Sequence, residues 1–284
     1  MRIRTVDAFT DRPYCGNPAA VVLLTGDDSG GFPADERLQR VANEMNLSET
    51  AFAHPLTGDA EADWALRWFT PAAEVDLCGH ATLATAHILR ADGLVDGTVR
   101  FRTRSGVLSA DTAHDGAITL DFPTAPLAPV AAPPGLAAAL GAEPVSVHDT
   151  GPLGDLLVEV ADEETLRALT PDSGAVGRLP HRGVIVTALA DDASGDADRD
   201  ARDREYDYVS RMFAPSVGIP EDPVTGSAHT ALAPLWSGRL GRDSLTGMQC
   251  SARTGLVRTT LRGERTELTG GAVTVLDARL RAGW

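Results

Sequence analysis

The chain has 284 residues, of which 40 are acidic and 25 are basic, so its formal net charge at pH 7 is -15. Such an acidic protein lacks the basic surface that nucleic acids and anionic membranes require, and we expect neither as a partner. The three cysteines form no C-x-x-C pair, which argues against a zinc site or a disulfide framework and favours a cytoplasmic location. The chain also contains no apolar run of about 18 residues that would predict a membrane span.

The first half of the chain is predicted to alternate short strands with two helices. Apolar residues at helical spacing predict a helix at 34–45, and a second helix of small residues begins at Gly79-His80 and ends near residue 91. Turn-forming residues at 14–18 and a loop at 71–79 separate these elements from their neighbours. Apolar and β-branched residues predict strands at 3–9, 19–24, 49–53, 62–70, 99–103, 107–113 and 117–122.

The stretch 124–134 holds four prolines and no charged residue. This composition is typical of a linker, with an ordinary long loop as the alternative. Beyond it the acidic run 191–205 indicates a solvated surface loop, and the helix at 227–236 is expected to kink or end near Pro234. Two further helices are predicted at 136–140 and 162–169, and strands at 145–148, 156–160, 183–189, 208–213, 248–250, 255–261 and 272–276.

Two segments of the chain resemble each other. Each contains R-x-F-x-P, a loop, a glycine and a helix of small residues, and the two glycines, Gly79 and Gly226, are 147 positions apart (226 minus 79). Such a repeat predicts a duplicated domain pair. We expect an N-terminal half at 1–124, with 272–284 as a candidate to complete it, and a C-terminal half at 125–271.

Each of these glycines comes directly before a predicted helix. The backbone N–H groups and the dipole at a helix N-terminus favour an anion, and glycine lets a ligand approach the backbone closely. Two such helices could hold a small carboxylate from both sides, although ordinary glycine turns would give the same pattern. The chain has neither a P-loop nor a G-x-G-x-x-G after a strand, so a nucleotide is not indicated.

Five motifs occur in order along most of the chain: G-N-P-A at 16–19, N-L-S-E-T-A-F at 46–52, F-T-P at 69–71, E-V-D-L-C-G-H-A-T at 74–82 and E-D-P-V-T-G-S-A at 221–228. Together they resemble the PhzF family of phenazine-biosynthesis isomerase-like proteins. The resemblance implies an α+β fold of two pseudo-symmetric diaminopimelate-epimerase-like halves. Each half is a β-sheet wrapped around a central helix, and the active site lies in the cleft between them.

The resemblance also carries expectations about chemistry. The family uses no metal and no organic cofactor, and its members commonly form homodimers. Its named member shifts a proton during the isomerisation of a dihydro-hydroxyanthranilic acid. The implied partners of this chain are therefore a small-molecule acid substrate and a second copy of the chain.

The same resemblance assigns roles to three catalytic residues. Glu49 matches the family acid/base, His80 a proton relay or substrate ligand, and Asp222 a second acid/base or the group that orients the substrate's amino or hydroxyl group. The residues alone also allow a solvated glutamate, a packed histidine and a helix-capping aspartate. Asp76 is expected either to orient His80 or to bind substrate. The predicted substrate-binding residues are Gly79, Gly226, Ser227 and Asp76.

A cysteine precedes the glycine turn in both halves of the two-thiol racemases and epimerases of this fold. Here the first half has Cys78, but the second has Thr225, whose hydroxyl is far too weak an acid to replace a thiol. A two-thiol racemase is therefore disfavoured, and Cys78 is expected to be a packed small residue. His229 has no match in the family pattern and is expected to be structural.

One segment departs from the family pattern, which implies a glycine after Gln249 and then R-P-G. This chain has Cys250 and Thr254 in place of that glycine and that proline, whereas Arg253 and Gly255 fit. The difference puts the phenazine substrate in doubt.

The sequence thus predicts a cofactor-independent isomerase. Glu49 would remove a proton from a small unsaturated amino or hydroxy acid and return it elsewhere, moving a double bond, with Asp222 and His80 assisting. The alternatives are a racemase or epimerase of a small amino acid and a non-catalytic small-molecule-binding protein on the same fold. A hydrolase with Ser227 as nucleophile is unfavourable, because G-S-A-H lacks a nucleophile elbow.

Overall fold

The computed structural model describes residues 1–25, 30–191 and 206–281, so nearly all of the predicted acidic loop at 191–205 lies outside the described residues. The helices are α1 Asp35–Met45, α2 Gly79–Ala91, α3 Leu136–Leu140, α4 Glu163–Ala168, α5 Ser173–Val176 and α6 Gly226–Leu240. The strands are β1 Arg2–Ala8, β2 Asn17–Leu23, β3 Glu49–Pro55, β4 Trp64–Phe69, β5 Glu74–Val75, β6 Thr98–Thr103, β7 Gly106–Thr112, β8 Ile118–Pro123, β9 Ala128–Pro129, β10 Ser146–Asp149, β11 Asp155–Glu159, β12 Gly183–Leu189, β13 Tyr208–Ala214, β14 Ile219–Asp222, β15 Ser244–Gln249, β16 Gly255–Arg262, β17 Arg265–Gly270 and β18 Ala272–Arg279. Among the described residues, no helix combines the length and the apolar character needed to cross a membrane.

The predicted strands and helices are present, most with ends shifted by one or two residues. The prediction missed α5, β14 and β17, and it missed the two-residue strands β5 and β9. The missed strands are too short for a periodic pattern to be read, or they follow a tight turn, and they form because a neighbouring strand offers hydrogen-bonding partners. The missed helix α5 is a single turn that Asp172 caps by accepting the backbone N–H of Ala175 at 3.0 Å.

The chain divides into two compact units, Met1–Asp121 with Thr269–Trp284, and Phe122–Leu268. In the first unit the strands pair in the order β18-β1-β2-β3-β4-β6-β7-β8. The β2–β3 and β4–β6 pairs are parallel and the others antiparallel, and β5 adds a short antiparallel arm to β4. The C-terminal strand β18 thus belongs to the sheet of the first unit.

The second unit repeats this arrangement. Its strands pair in the order β9-β10-β11-β12-β13-β15-β16, and the β11–β12 and β13–β15 pairs are the parallel ones. The short strand β14 lies antiparallel to β13, as β5 does to β4. The internal repeat seen in the sequence is therefore a repeat of sheet topology.

A central helix lies against the sheet of each unit. In α2 every residue from His80 to Ala86 is buried, and the helix packs on β1, β2, β3 and β7. Its threonine hydroxyls donate to backbone carbonyls one turn earlier, Thr82 to Cys78 and Thr85 to Ala81, which satisfies them inside the core. In the second unit α6 packs on β15 and β16. These features confirm the predicted fold class of sheets wrapped around central helices.

The second central helix does not end near Pro234, because α6 continues to Leu240, whereas a kink at this proline stays a prediction. A proline inside a helix leaves the carbonyl of the fourth preceding residue without its hydrogen bond. Here that carbonyl belongs to Thr230, and it accepts the backbone N–H of Ala125 at 3.2 Å. A donor from another segment thus offsets the bond that the proline removes.

The prediction of a linker at 124–134 is also wrong. Ala125 is buried against α6, and Ala128–Pro129 pairs with β10. The backbone N–H of Val130 donates to the carbonyl of Val147 at 3.0 Å. The segment is therefore part of the second unit, and its prolines are tolerated because it runs along a sheet edge, where few backbone donors are needed.

The glycine at 247 is required by the core of the second unit. A Cβ at this position would lie 2.4 Å from Cε2 of the fully buried Tyr208 ring, which is stacked on Trp236. We expect Gly247→Ala to lower the free energy of unfolding by about 1–3 kcal/mol through overpacking. The matched control is Gly238→Ala on the exposed face of α6, where nothing lies within 4 Å of the added methyl group. That change should stabilise the protein by about 0.5–1 kcal/mol because alanine favours the helix. Urea denaturation of both variants checks the prediction, which equal midpoints would contradict.

Candidate active site

Three chemically active side chains of the first unit meet at the N-terminus of α2. Glu49 is the first residue of β3, Cys78 is the N-cap of α2, and His80 lies in the first turn of that helix. His80 Nε2 lies 3.1 Å from Glu49 Oε2, and its Nδ1 lies 3.5 Å from Cys78 Sγ. Glu49 and His80 come together because β3 runs beside β2 and both strands pack on α2.

Burial governs the electrostatics of this cluster. The side chains of His80 and Glu49 are only 7% and 12% exposed. Burial by itself lowers the pKa of His80, but the neighbouring Cys78 and Glu49 raise it well above its usual value of 6.5. Burial, and after it the Glu49 carboxylate, raises the pKa of the Cys78 thiol to about 11. At neutral pH the cluster therefore combines an imidazolium with a neutral thiol.

The spacing of this cluster allows proton transfer between its members. One donor atom from each of Glu49, Cys78 and His80 lies within 4.8 Å of the other two. His80 is within hydrogen-bond reach of both Glu49 and Cys78 and can pass a proton to either, and a carboxylate, an imidazole and a thiol are also donors that a transition metal would accept.

The helix N-terminus beside this cluster is suited to an anion. The first N–H groups of an α-helix have no partner within the helix, and the Cys78 side chain makes no capping hydrogen bond. The first turn of α2 contains no acidic residue. Gly79 therefore lies at a helix N-terminus whose dipole favours a bound negative charge, as its predicted binding role requires.

Asp76 does not orient His80. Its side chain is exposed and pairs with Arg104, whose Nε lies 3.4 Å from Asp76 Oδ1. The carboxylate that contacts His80 is that of Glu49. Asp76 stabilises the loop through its backbone, because its carbonyl accepts a hydrogen bond from the Ser105 hydroxyl at 2.7 Å. A role of its carboxylate in substrate binding stays a prediction.

In the second unit, Asp222 ends β14 just before the helix α6. The hydroxyl of Thr225, the N-cap of α6, donates a short hydrogen bond to Asp222 Oδ2. The buried Gln249 amide accepts the backbone N–H of Thr225 at 2.8 Å and donates to the backbone carbonyl of Asp222 at 2.8 Å. The sequence pattern identified Asp222 but gave Gln249 no role, because the two residues are joined only through the pairing of β13 with β15.

The remaining predicted residues of the second unit lie at the start of α6. Gly226 is buried as the first helical residue, and Ser227 is half-buried beside it, with its backbone carbonyl accepting the Thr230 hydroxyl at 2.7 Å. The hydroxyl of the N-cap residue Thr225 makes no capping hydrogen bond to α6, because it donates to Asp222. His229 is fully buried, its Nδ1 lies 2.9 Å from the Tyr208 hydroxyl, and burial lowers its pKa to about 3.

The segment that departs from the family pattern forms a tight turn. The Ser251 hydroxyl accepts the N–H groups of Arg253 and Thr254 and donates to the backbone carbonyl of Pro223 at 2.7 Å. Thr254 has φ of 57°, which a proline ring forbids. This turn therefore has a backbone conformation that the expected R-P-G could not adopt.

The strand registers align the two units residue by residue. Thr50 pairs with Phe69 and Val184 with Phe213, so Glu49 corresponds to Gly183. A Cβ at Gly183 would lie 2.5 Å from Met212 Cε, which leaves no space there for a second carboxylate. By the same register Asp222 corresponds to Val75. The two candidate acid/base carboxylates, Glu49 and Asp222, are thus at different positions in the two units.

An arginine-glutamate pair recurs in both units and was missed in the sequence. Arg67 makes two 2.7 Å hydrogen bonds to Glu74, and Arg211 makes bonds of 2.7 and 2.9 Å to Glu221. Each guanidinium also lies over the phenylalanine of its own R-x-F-x-P motif. The arginine of the motif therefore holds the loop before each central helix. The sequence feature that could have predicted this pair is the glutamate shared by E-V-D and E-D-P.

Cys78 is expected to be unreactive in the native protein. It is buried, and a thiol whose pKa is about 11 has almost no thiolate at pH 7.5. Iodoacetamide should leave Cys78 unmodified in the folded protein and alkylate it in urea, as read by peptide mass spectrometry. Rapid native labelling of Cys78 would contradict this result and would favour a thiol-based racemase.

Two units of matching sheet topology, each with a central helix packed on its sheet, define a diaminopimelate-epimerase-like fold. The sequence profile described as phenazine biosynthesis-like protein matches residues 6–278, and this chain belongs to that PhzC-PhzF family. It is 46% identical over 282 residues to an uncharacterized isomerase of Pseudomonas aeruginosa, covering 99% of this chain and 98% of the relative.

Solved structures agree with this assignment. A PhzF family protein of Enterococcus faecalis superimposes with a TM-score of 0.85 at 37% identity, covering 98% of this chain and 99% of the other. A hydroxyproline epimerase of Agrobacterium vitis shares the fold with a TM-score of 0.57 at 15% identity, covering 98% of this chain and 91% of the other. The family and fold predicted from the five motifs are confirmed.

Proposed function

We propose that this chain is an isomerase that moves a proton within a small unsaturated amino or hydroxy acid by general acid/base catalysis. The observation that carries the proposal is the contact between Glu49 and His80 at the N-terminus of α2. Glu49 Oε2 is buried and makes no well-aligned hydrogen bond, and its contact is with the His80 ring at 3.1 Å, so it keeps a lone pair for a substrate proton. A carboxylate in this state can accept a proton from an activated C–H group of a bound substrate.

His80 supports the negative charge on Glu49 before the proton moves. Its raised pKa keeps it cationic at neutral pH, and its Nε2 lies beside the carboxylate. Once Glu49 has taken a proton, the nearby imidazolium and the N–H groups of α2 stabilise the negative charge that develops on the substrate. The substrate carboxylate is proposed to bind the N-terminus of a central helix, with Gly79 as its contact on α2 or Gly226 and Ser227 as its contacts on α6.

Asp222 is proposed to bind or orient the polar group of the substrate. Its carboxylate is held by Thr225 at the end of β14, which limits its motion. The relatives named isomerases support a proton-transfer reaction in general terms, and the substrate class follows only from the resemblance and from the chemistry of these side chains.

Proton exchange with solvent is the direct test. The protein and Glu49→Gln are incubated in D2O with a panel of unsaturated cyclic amino acids, dihydroaromatic acids, diaminopimelate and proline, and mass spectrometry measures deuterium uptake. Uptake that requires Glu49 supports the proposal. Binding of a panel member without any uptake would overturn it in favour of a binding protein.

The proposal requires neither a metal ion nor an organic cofactor. Exhaustive dialysis against EDTA should leave exchange unchanged, with elemental analysis of the dialysed protein as the control. A loss that Zn²⁺ restores would instead make Glu49, Cys78 and His80 metal ligands, since their donor atoms lie within 4.8 Å.

A racemase or epimerase is the second candidate, favoured by the duplicated topology of the two units. Its two-thiol form is unfavourable, because Cys78 corresponds to Thr225 and its thiol is protonated at neutral pH. The remaining form would use Glu49 and Asp222 as its two bases. Chiral chromatography of the exchanged product distinguishes the candidates, since a racemase inverts the labelled carbon whereas an isomerase returns the proton to a different carbon.

A further inference from the structure

Gln249, the last residue of β15, contacts both ends of the loop that carries Asp222. Its Oε1 accepts the backbone N–H of Thr225 at 2.8 Å, and its Nε2 donates to the backbone carbonyl of Asp222 at 2.8 Å. These two partners fix the orientation of the amide, because an N–H needs an acceptor and a carbonyl needs a donor. The side chain is fully buried, so water does not replace either bond.

This orientation determines the direction of the remaining hydrogen bonds. Gln249 Nε2 also donates to Thr225 Oγ1 at 3.2 Å, so the threonine oxygen acts there as an acceptor. The single hydrogen of that hydroxyl is donated to Asp222 Oδ2. A carboxyl oxygen that receives a hydrogen bond from a fixed donor is stabilised in its ionised form.

The described residues of the first unit form no such network, although the unit has the same architecture. By strand register Gln249 corresponds to Thr103, Thr225 to Cys78 and Asp222 to Val75. The Thr103 hydroxyl bonds to its own hairpin, at the carbonyl of Gly106. What both units share is the serine bond to the loop backbone, from Ser105 to Asp76 and from Ser251 to Pro223.

The contrast separates two kinds of contact. The serine bonds recur in both units, so they belong to the duplicated fold. The amide and hydroxyl bonds occur in the unit that carries Asp222, so they serve that carboxylate.

We propose that Gln249 and Thr225 are positioning residues that hold Asp222 as an ionised hydrogen-bond acceptor for the substrate. This inference rests on the proposed function. It extends that function to Gln249, which lies outside the five motifs, and to Thr225, which lies within one of them but had no assigned role. A carboxylate held in this way favours a ligand that presents a hydrogen-bond donor, such as an ammonium or hydroxyl group.

Other titratable groups surround this loop on three elements. Glu221 on β14 is paired with Arg211 on β13, and His229 on α6 is neutral because burial lowers its pKa to about 3. Cys250, next to Gln249, has its pKa raised to about 11 by burial. Neither His229 nor Cys250 therefore changes its charge between pH 5 and pH 8, so neither would mimic the titration of Asp222.

The test is the titration of Asp222 itself, followed by NMR of protein labelled with ¹³C at the aspartate carboxyl carbons and assigned with Asp222→Asn. Thr225→Val removes the hydroxyl donor and keeps the backbone N–H bonded to Gln249. It should raise the midpoint of the Asp222 titration by about one pH unit, the amount expected from losing one bond to a charged group. Gln249→Leu should raise it as well, because the loop loses three hydrogen bonds.

Thr103→Val, at the corresponding position of the first unit, is the matched control and should leave the midpoint unchanged. Circular dichroism establishes that each variant is folded, and Thr225→Val carries the test if Gln249→Leu does not fold. An unchanged midpoint in folded Thr225→Val would overturn the inference. This readout needs no substrate, so a failure here is distinct from a failure of the deuterium-exchange test of the proposed function.

Discussion

Glu49→Gln is expected to lower deuterium exchange into the substrate by a factor of about 10²–10⁴, the range that general acid/base catalysis contributes. The amide has nearly the same size and can still accept a hydrogen bond from His80, but it cannot take a proton from carbon. The fold should persist, because the amide fills the same space and its oxygen can take the place of the carboxylate oxygen that lies 3.1 Å from His80 Nε2. Exchange rates from mass spectrometry at saturating substrate give the factor.

The matched control is Glu44→Gln, an exposed glutamate on α1. It makes the same chemical change five residues away and should exchange at the wild-type rate. If Glu49→Gln retained more than about one-tenth of the wild-type rate, acid/base catalysis by Glu49 would be excluded. Another group of the cluster would then have to accept the proton.

His80 is expected to impose an alkaline limit on activity. Its folded pKa is raised well above 6.5 by Cys78 and Glu49, so the imidazolium persists at neutral pH and is lost only as pH rises through the raised value. kcat/KM should therefore fall on the alkaline side in the wild type, and His80→Gln should lower kcat/KM by about 10²-fold and remove this alkaline decline. A pH profile from 6 to 10 measures both effects.

The same group makes stability depend on pH. Because the folded pKa lies above the unfolded value, the contribution of His80 is complete below about pH 6.5 and is lost as pH rises through the folded pKa. The difference in urea midpoint between wild type and His80→Gln should therefore be larger at pH 6 than at high pH. His87→Gln, on the same helix, is the control, since burial lowers the pKa of His87 and gives no such loss above neutrality. A difference that grew with pH would contradict the assignment.

Much of the architecture was readable in the sequence because its causes are local. The small residues after Gly79 and Gly226 predicted the two central helices, since only such side chains allow a helix to be buried on nearly every side. The R-x-F-x-P repeat predicted the duplication. Five short motifs predicted the family and directed attention to Glu49, His80 and Asp222.

Where the prediction failed, the deciding contacts come from distant segments. Helix α6 passes through Pro234 because Ala125, more than a hundred positions earlier, supplies a donor to Thr230. The same contact places the proline-rich segment in the second unit rather than in a linker. Asp76 was expected to approach His80, but Arg104 on the neighbouring hairpin pairs with it.

By itself, the sequence determined most strands and helices, the duplication and the residue types available for chemistry, because periodicity, turn residues and motif spacing are properties of neighbouring residues. The class of fold followed from the resemblance of the five motifs to a known family. Only the tertiary structure decided which side chains share a proton or a hydrogen bond. Strand pairing brings Glu49 on β3 to His80 and Gln249 on β15 to Thr225. A slip of one residue in either register would turn the Glu49 or Gln249 side chain to the opposite face of its sheet.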